Sequence, residues 1–191
     1  MNTFVKAIEE QGVGIGSDIV KVDMILNHRI DCELLKVIGK SFKEYFEDQQ
    51  PDIILTIEAS GIAVAVATAM EMGNIPVVFA KKASTRNITG EVYQSKVFSF
   101  THNVENFVRV AKPYLPKGSK VLIVDDFLAN GGAAKGLYEI ATQACCKVVG
   151  VGICVEKTFQ PGRQQLEKLG LKVVSLAKIK GIENGKIIVT E

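Results

Sequence analysis

Apolar residues recur along this chain with two periods, and the alternation between them predicts an α/β fold. Near the start, Phe4, Val5 and Ile8 share one helical face, and Gly12 ends that helix. Residues 12–16 read as a glycine-rich bend. Asp31 is placed to cap a helix carrying Leu34, Leu35, Ile38, Phe42 and Phe46 on one face, with Pro51 punctuating its end. Ile53, Ile54, Leu55 and Ile57 then make a short strand, apolar on both faces, as a central strand of a parallel sheet requires. IAVAVATAM follows at helical spacing, and residues 76–80 form a second apolar strand.

Beyond this the chain turns polar over residues 81–95, and residues 97–100 and 104–111 alternate as partners in a hairpin. Residues 121–124 are the next buried strand, ending in Asp125 and Asp126. Asn130, Gly131 and Gly132 open a helix through Leu137, Ile140 and Ala141. Residues 148–155 form a strand, Pro161 and Gly162 start a helix with Leu166 and Leu169, and residues 171–176 and 187–189 close the chain as strands. Strands alternating with helices predict a mostly parallel central sheet flanked by helices. No repeat or linker divides the sequence, so residues 1–191 are expected to form one domain.

Composition narrows the function classes. With 47% of residues hydrophobic, the chain can bury a sizeable core. A net charge of +2 is too small to argue for nucleic acid or a membrane surface. The longest small-apolar stretch, residues 61–70, falls short of the ~20 residues that span a bilayer. The opening MNTFVKAIEEQG lacks the charged-then-apolar order of a secretion signal. Cys32, Cys145, Cys146 and Cys154 form no C-x-x-C pair and no metal-ligand spacing with His28 or His102. Cys154 lies in an apolar run and reads as a core thiol, and reduced cysteines suit the cytoplasm.

The chemistry concentrates in VLIVDDFLANGGAAKG, residues 121–136. A buried strand delivers two carboxylates to its carboxyl end, where open α/β sheets place their ligands. A short glycine-bearing loop then enters a helix whose first amides point outward, with a dipole that favours an anion. Asp125 and Asp126 are acceptors suited to paired ribose hydroxyls or to a hydrated magnesium ion. The same pattern also describes an ordinary strand-to-helix turn with exposed carboxylates. It is not a nucleotide P-loop, since no G-K-[ST] follows, nor a dinucleotide fingerprint, since the acids precede the glycines.

This run closely resembles the phosphoribosyl pyrophosphate signature of the type I phosphoribosyltransferases. KVDMILNHRID, TIEASGIAVA, VVFAKK, VDDFLANGGAA and VEKTFQPGR, in that order along the chain, resemble the members of that family that act on xanthine. The resemblance implies a pentosyltransferase of purine salvage. It would pass the 5-phosphoribosyl group of phosphoribosyl pyrophosphate to xanthine, with magnesium accompanying the pyrophosphate, and would work as a homodimer. It implies a parallel-sheet core of five strands and a small hood built from the N- and C-terminal segments.

By position, the resemblance puts the 5′-phosphate on Ala129, Asn130, Gly131, Gly132 and Ala133, and the ribose on Asp125 and Asp126. The pyrophosphate falls to Ala59, Ser60, Gly61 and Lys82, with Lys81 beside it. Ser60 alternatively reads as an ordinary helix cap. The purine falls to Val20, Asn27, Phe127 and Lys157, with Phe159 a weaker candidate for the stacking partner. Val20 and Gly132 stand where some relatives carry leucine and glutamine.

Lys157 offers donors only, so it favours a 6-oxo purine over adenine. Asn27 is placed to read the far edge, where xanthine carries its 2-oxo group. Residues 83–96, with Arg86 and Lys96, resemble the family's closing loop. Hypoxanthine-guanine relatives carry an aspartate where this chain has Ala129, so no catalytic base is named. Two rivals remain: an adenine-specific relative, and a regulator that senses phosphoribosyl pyrophosphate. The regulator would need a DNA-binding domain for which the short N-terminal helix leaves no room.

Overall fold

The computed structural model describes residues 3–82, 90–99 and 104–191. Among these, the chain opens with helix α1 (Thr3–Gln11) and a small hairpin of β1 (Val13–Ile15) and β2 (Ile19–Lys21). A π-helical turn, Asp23–Asn27, leads to α2 (Cys32–Phe46). The sheet then begins with β3 (Ile53–Ile57), α3 (Gly61–Glu71) and β4 (Val77–Ala80). A second hairpin, β5 (Val92–Ser99) and β6 (Val104–Ala111), forms its own two-stranded sheet, joined to the end of β4 by paired backbone hydrogen bonds between Lys81 and Arg109. The remainder runs β7 (Lys120–Leu128), α4 (Gly132–Gln143), β8 (Lys147–Lys157), α5 (Gly162–Glu167), β9 (Val173–Glu183) and β10 (Lys186–Thr190).

The main sheet has the order β10-β9-β8-β7-β3-β4. Its strands from β9 to β4 are mutually parallel, as expected, and β10 adds an antiparallel sixth strand. The two faces carry separate cores. On β7, Leu122 and Val124 pack beneath α1, α2 and α3, while Val121 and Ile123 pack beneath α4 and the second hairpin. Both faces being covered explains why β3, IILTI, is buried at every position.

Local chemistry sets the element ends. The Asp31 carboxylate caps α2 as expected, accepting from the amides of Glu33 and Leu34 at 3.1 Å each. Opposite α2, β8 carries glycines at 150 and 152, and a Cβ at Gly152 would lie 3.0 Å from the Phe42 ring. The aromatic residues of α2 thus lie directly on bare backbone.

Several boundaries differ from the pattern in the sequence. Within residues 12–16, Val13–Ile15 form the first strand of the N-terminal hairpin, with Gly14 paired to Val20, and only Gly16 lies in its turn. β7 does not stop before the acids. Pairing with β8 carries it through Asp125, Phe127 and Leu128, because β8 is equally long at that end. β9 runs on past residue 176, since Lys178 and Lys180 interrupt the apolar pattern while Ala177 and Ile179 remain fully buried. α5 ends before Leu169, which is 37% exposed rather than on a core face.

Of the expected closing loop, residues 92–96 already belong to β5, paired with β6. Arg86 lies outside the described residues, as does His102. No described helix is long and apolar enough to cross a membrane. The hood forms where expected: α1 packs on β10 and β9, and the Gly14 amide donates to the Gly185 carbonyl at 3.0 Å.

α2 and α3 cross at Gly39, where an added Cβ would lie 2.6 Å from the Ala67 carbonyl oxygen. Gly39→Ala should therefore force the helices apart. A loss of ~1–3 kcal/mol is expected, read as a fall of several degrees in the thermal midpoint. An unchanged midpoint would show that the crossing has room to spare.

Candidate active site

The carboxyl ends of four adjacent strands, β4, β3, β7 and β8, deliver the expected site residues to one edge of the sheet. A cavity of about 400 Å³ opens there, lined among others by Glu58, Ser60, Lys82, Asp125, Asp126 and Phe127. A neighbouring cavity of about 290 Å³ includes Asn27, His28, Ala59 and Ser60 in its wall, so Ser60 borders both. The amide of Lys82 donates to Glu58 Oε1 at 2.6 Å, tying the end of β4 to the turn after β3. The peptide joining Glu58 to Ala59 is cis.

Two helices begin at this edge without a side-chain cap. Ser60 makes no capping hydrogen bond at α3, so its alternative reading as an ordinary cap is not what the structure has. Gly131, at φ 83°, leads into α4 with no side-chain cap either. Their first amides thus remain available to an anion, in contrast to α2, where Asp31 occupies them. Ala133 lines the larger cavity, and Asn130 and Gly132 line an adjoining one with Lys96 and Lys135.

Asp125 and Asp126 are only 4% and 7% exposed, unlike the exposed pair an ordinary turn would show. Asp125 is held well above the ordinary carboxylate range, first by burial and then by the neighbouring charge of Asp126. Its Oδ1 accepts from the Asp126 amide at 3.0 Å. The wall around it is close: a Cβ on Gly61 would collide with Thr56 Oγ1 and lie 2.8 Å from Asp125 Oδ1. Asp126 Oδ2 accepts from Asn27 Nδ2 at 2.6 Å, a bond between residues 99 apart that ties the turn before α2 to the sheet.

Lys157 and Val20 line neither the cavity of about 400 Å³ nor its neighbour of about 290 Å³. Lys157 reaches from the end of β8 to the hood, its Nζ donating to the Asp18 carbonyl at 2.7 Å. Partial burial lowers its pKa, with Asp18 pulling the other way. Val20 is 9% exposed and packs within the core beneath the hood. Phe127 is half-buried against the same core, whereas Phe159 is 42% exposed.

The phosphoribosyl transferase domain matches residues 22–182 of this sequence. The chain belongs to the phosphoribosyl transferase family. It is 46% identical over 188 residues to a xanthine phosphoribosyltransferase of Clostridium tetani, covering 98% of this chain and 99% of that one. A xanthine phosphoribosyltransferase of Clostridium novyi is 50% identical over 188 residues, covering 98% of each. Among solved structures, adenine phosphoribosyltransferase from Saccharomyces cerevisiae superposes with a TM-score of 0.74 at 21% identity, over 92% of this chain and 99% of that one. The enzyme from Trypanosoma brucei gives 0.75 at 20% identity, over 92% and 79%. At that identity the superpositions establish the shared type I fold, not the base.

In this phosphoribosyltransferase the segment after Lys157 also reaches the helix start at α4. The Gly162 amide donates to the Ala129 carbonyl at 3.0 Å. A Cβ on Gly162 would collide with that carbonyl oxygen and lie 2.9 Å from the Gly131 nitrogen. Glu156, 2% exposed, accepts from Arg163 Nε at 2.7 Å and Nη2 at 2.6 Å. Burial by itself would raise Glu156, but the hydrogen bonds and charge of Arg163 outweigh it and leave its pKa lowered. The sequence motif carried both residues, yet only their meeting in space shows the pairing. Asn106 of β6 also lines the larger cavity, and the polar pattern around it gave no signal for this.

The raised Asp125 has a consequence for stability. Stability from a carboxyl with a raised folded pKa is fully present below its ordinary value, 3.8, and is lost as the pH rises through the raised value. Asp125→Asn keeps the acceptor for the Asp126 amide and removes the charge. The variant without ligands should melt a few degrees higher than the parent near neutral pH, at ~2–4 °C per kcal/mol. The gap should narrow in acid, and a lower midpoint at pH 7 would contradict this account.

Proposed function

We propose that this phosphoribosyltransferase is a purine-salvage enzyme that transfers the 5-phosphoribosyl group of phosphoribosyl pyrophosphate to xanthine, releasing xanthosine 5′-monophosphate and pyrophosphate. The observation that carries the reading is the shared cavity at the ends of β3, β4 and β7. Two uncapped helix starts, a lysine and a carboxylate pair face one space there. The identity to curated xanthine enzymes over nearly the whole chain supports the choice of base. In this reading the entire chain serves as one catalytic domain.

The 5′-phosphate takes the amides of Ala129, Asn130, Gly131, Gly132 and Ala133 at the start of α4. Asp125 and Asp126 accept from the ribose hydroxyls. The pyrophosphate takes the amides of Ala59, Ser60 and Gly61, with Lys82 neutralising its charge. Phe127 lies against the purine face, Val20 supplies apolar backing, and Lys157 and Asn27 read its edges. Lys157 has donors beyond the one given to Asp18, and a 6-oxo group is the acceptor they need.

Among the described residues no group of three or more His, Cys, Asp or Glu side chains gathers into a metal cage. Magnesium would come with the substrate, held by the pyrophosphate oxygens, with no side chain of the protein assigned to it as a direct ligand. When bound, it would neutralise charge on the leaving group. A purine nitrogen forms the new bond to the anomeric carbon as the bond to the pyrophosphate oxygen breaks. Residues 129–133 carry no titratable side chain, so that loop supplies no base, and a purine that has already lost its proton to solvent needs none. A base that ionises readily, as xanthine does, suffers least from that. The protein's share is positioning and electrostatic stabilisation.

A homodimer fits the apolar face between α2 and α3, where Met70 is 65% and Val66 42% exposed beside Ile30 and Leu35. Free cysteines and the absence of a spanning helix among the described residues are consistent with the cytoplasm.

Purified protein with phosphoribosyl pyrophosphate and magnesium, offered xanthine, guanine, hypoxanthine and adenine separately, should form nucleotide most efficiently from xanthine. Turnover of adenine would overturn the base assignment alone, and no turnover of any base would favour a sensing role. Lys157→Met should lower kcat/KM for xanthine by about ten- to a hundred-and-fiftyfold, the ~1.5–3 kcal/mol of a hydrogen bond to a charged group. An undiminished value would remove Lys157 from the base site.

A further inference from the structure

Arg163 spends every donor it has. Nε and Nη2 grip the two oxygens of Glu156 in parallel, at 2.7 and 2.6 Å. Nη2 also donates to Ser175 Oγ at 3.1 Å, and Nη1 to the Val173 carbonyl at 3.1 Å and Glu167 Oε1 at 3.2 Å. A guanidinium has five N–H groups in a fixed fork, so its orientation is fully determined by the ends of β8 and β9. Gly162 precedes Arg163 in the chain and shares that fixed position. Its α-carbon is the surface against which residues 129–131 lie, with the Gly162 amide holding the Ala129 carbonyl.

We propose that Arg163 is a positioning residue for the 5′-phosphate loop: its grip on Glu156 sets Gly162, and Gly162 sets the amides of residues 129–131. The inference rests on the reading of residues 129–133 as the 5′-phosphate site. It adds a pair, Glu156 and Arg163, that touches neither cavity yet governs one part of the substrate and not the other. The pyrophosphate turn at residues 59–61 follows β3, two strands away from β8, and receives nothing from this network.

The test uses two ligands that divide the site. Ribose 5-phosphate and inorganic pyrophosphate are titrated separately by calorimetry, with magnesium, into the parent protein, Arg163→Lys and Glu156→Gln. Lysine keeps the charge but lacks the fork, and glutamine keeps the shape but lacks the charge. Both variants should bind ribose 5-phosphate about ten- to a hundredfold more weakly, the scale of a misplaced binding group. Pyrophosphate affinity should stay within about twofold, a change worth only ~0.4 kcal/mol.

Equal weakening of both ligands, or of neither, overturns the positioning role. A parent that fails to bind ribose 5-phosphate refutes the loop reading itself, and this inference with it. A parent that binds while both variants bind equally well refutes only the inference. If Arg163→Lys does not fold, Glu156→Gln carries the same comparison alone.

Discussion

Two adjacent carboxylates have to be kept inside the end of a buried strand, and much of the site is arranged around that demand. Asp125 and Asp126 repel one another and have lost most of their water. The fold supplies partial compensation from elsewhere in the chain. Asn27 donates to one acid, the Asp126 amide donates to the other, and Lys82 stands across the cavity. The bare α-carbon of Gly61 lets α3 begin close enough to wall off Asp125. What remains uncompensated is the electrostatic capacity that a polyhydroxyl ligand and its cation can use, at a cost in stability to the unliganded protein.

The same logic separates the two kinds of helix start. α2 contributes no residue to either cavity and closes its own amides with Asp31. α3 and α4 face the cavity and leave theirs open. An isolated helix would be better off capped, so the open ends are local concessions at the rim of the cavity.

What the sequence disclosed follows from how local each signal is. The Asp31 cap, the buried run of β3 and the glycine entry to α4 depend on neighbours within a few residues, and all were readable. The full lengths of β7 and β9 were not, because pairing with another strand carries them past charged residues that end the apolar pattern. The bond from Asn27 to Asp126 and the grip of Arg163 on Glu156 were invisible for a related reason. A polar residue shows its type in the sequence but not its partner, and both partners here meet only after β8 and the hood have been placed. Even where family resemblance assigned a residue, as for Lys157, its contact with the Asp18 carbonyl came from the tertiary structure alone.

Because β3, β7 and β8 are immediate neighbours, the sheet also acts as a ruler. Parallel strands are spaced ~4.8 Å apart by their backbone hydrogen bonds, whatever their side chains. The turn after β3, the acids and loop of β7 and the lysine ending β8 therefore stand at intervals that loop sequence cannot stretch or shorten. Substitutions in those loops can retune how tightly each part of a ligand is held. On the proposed assignment of the site, the distance from pyrophosphate to ribose to base would be measured by the backbone itself, and a change of preferred base would leave the sugar-phosphate donor in place.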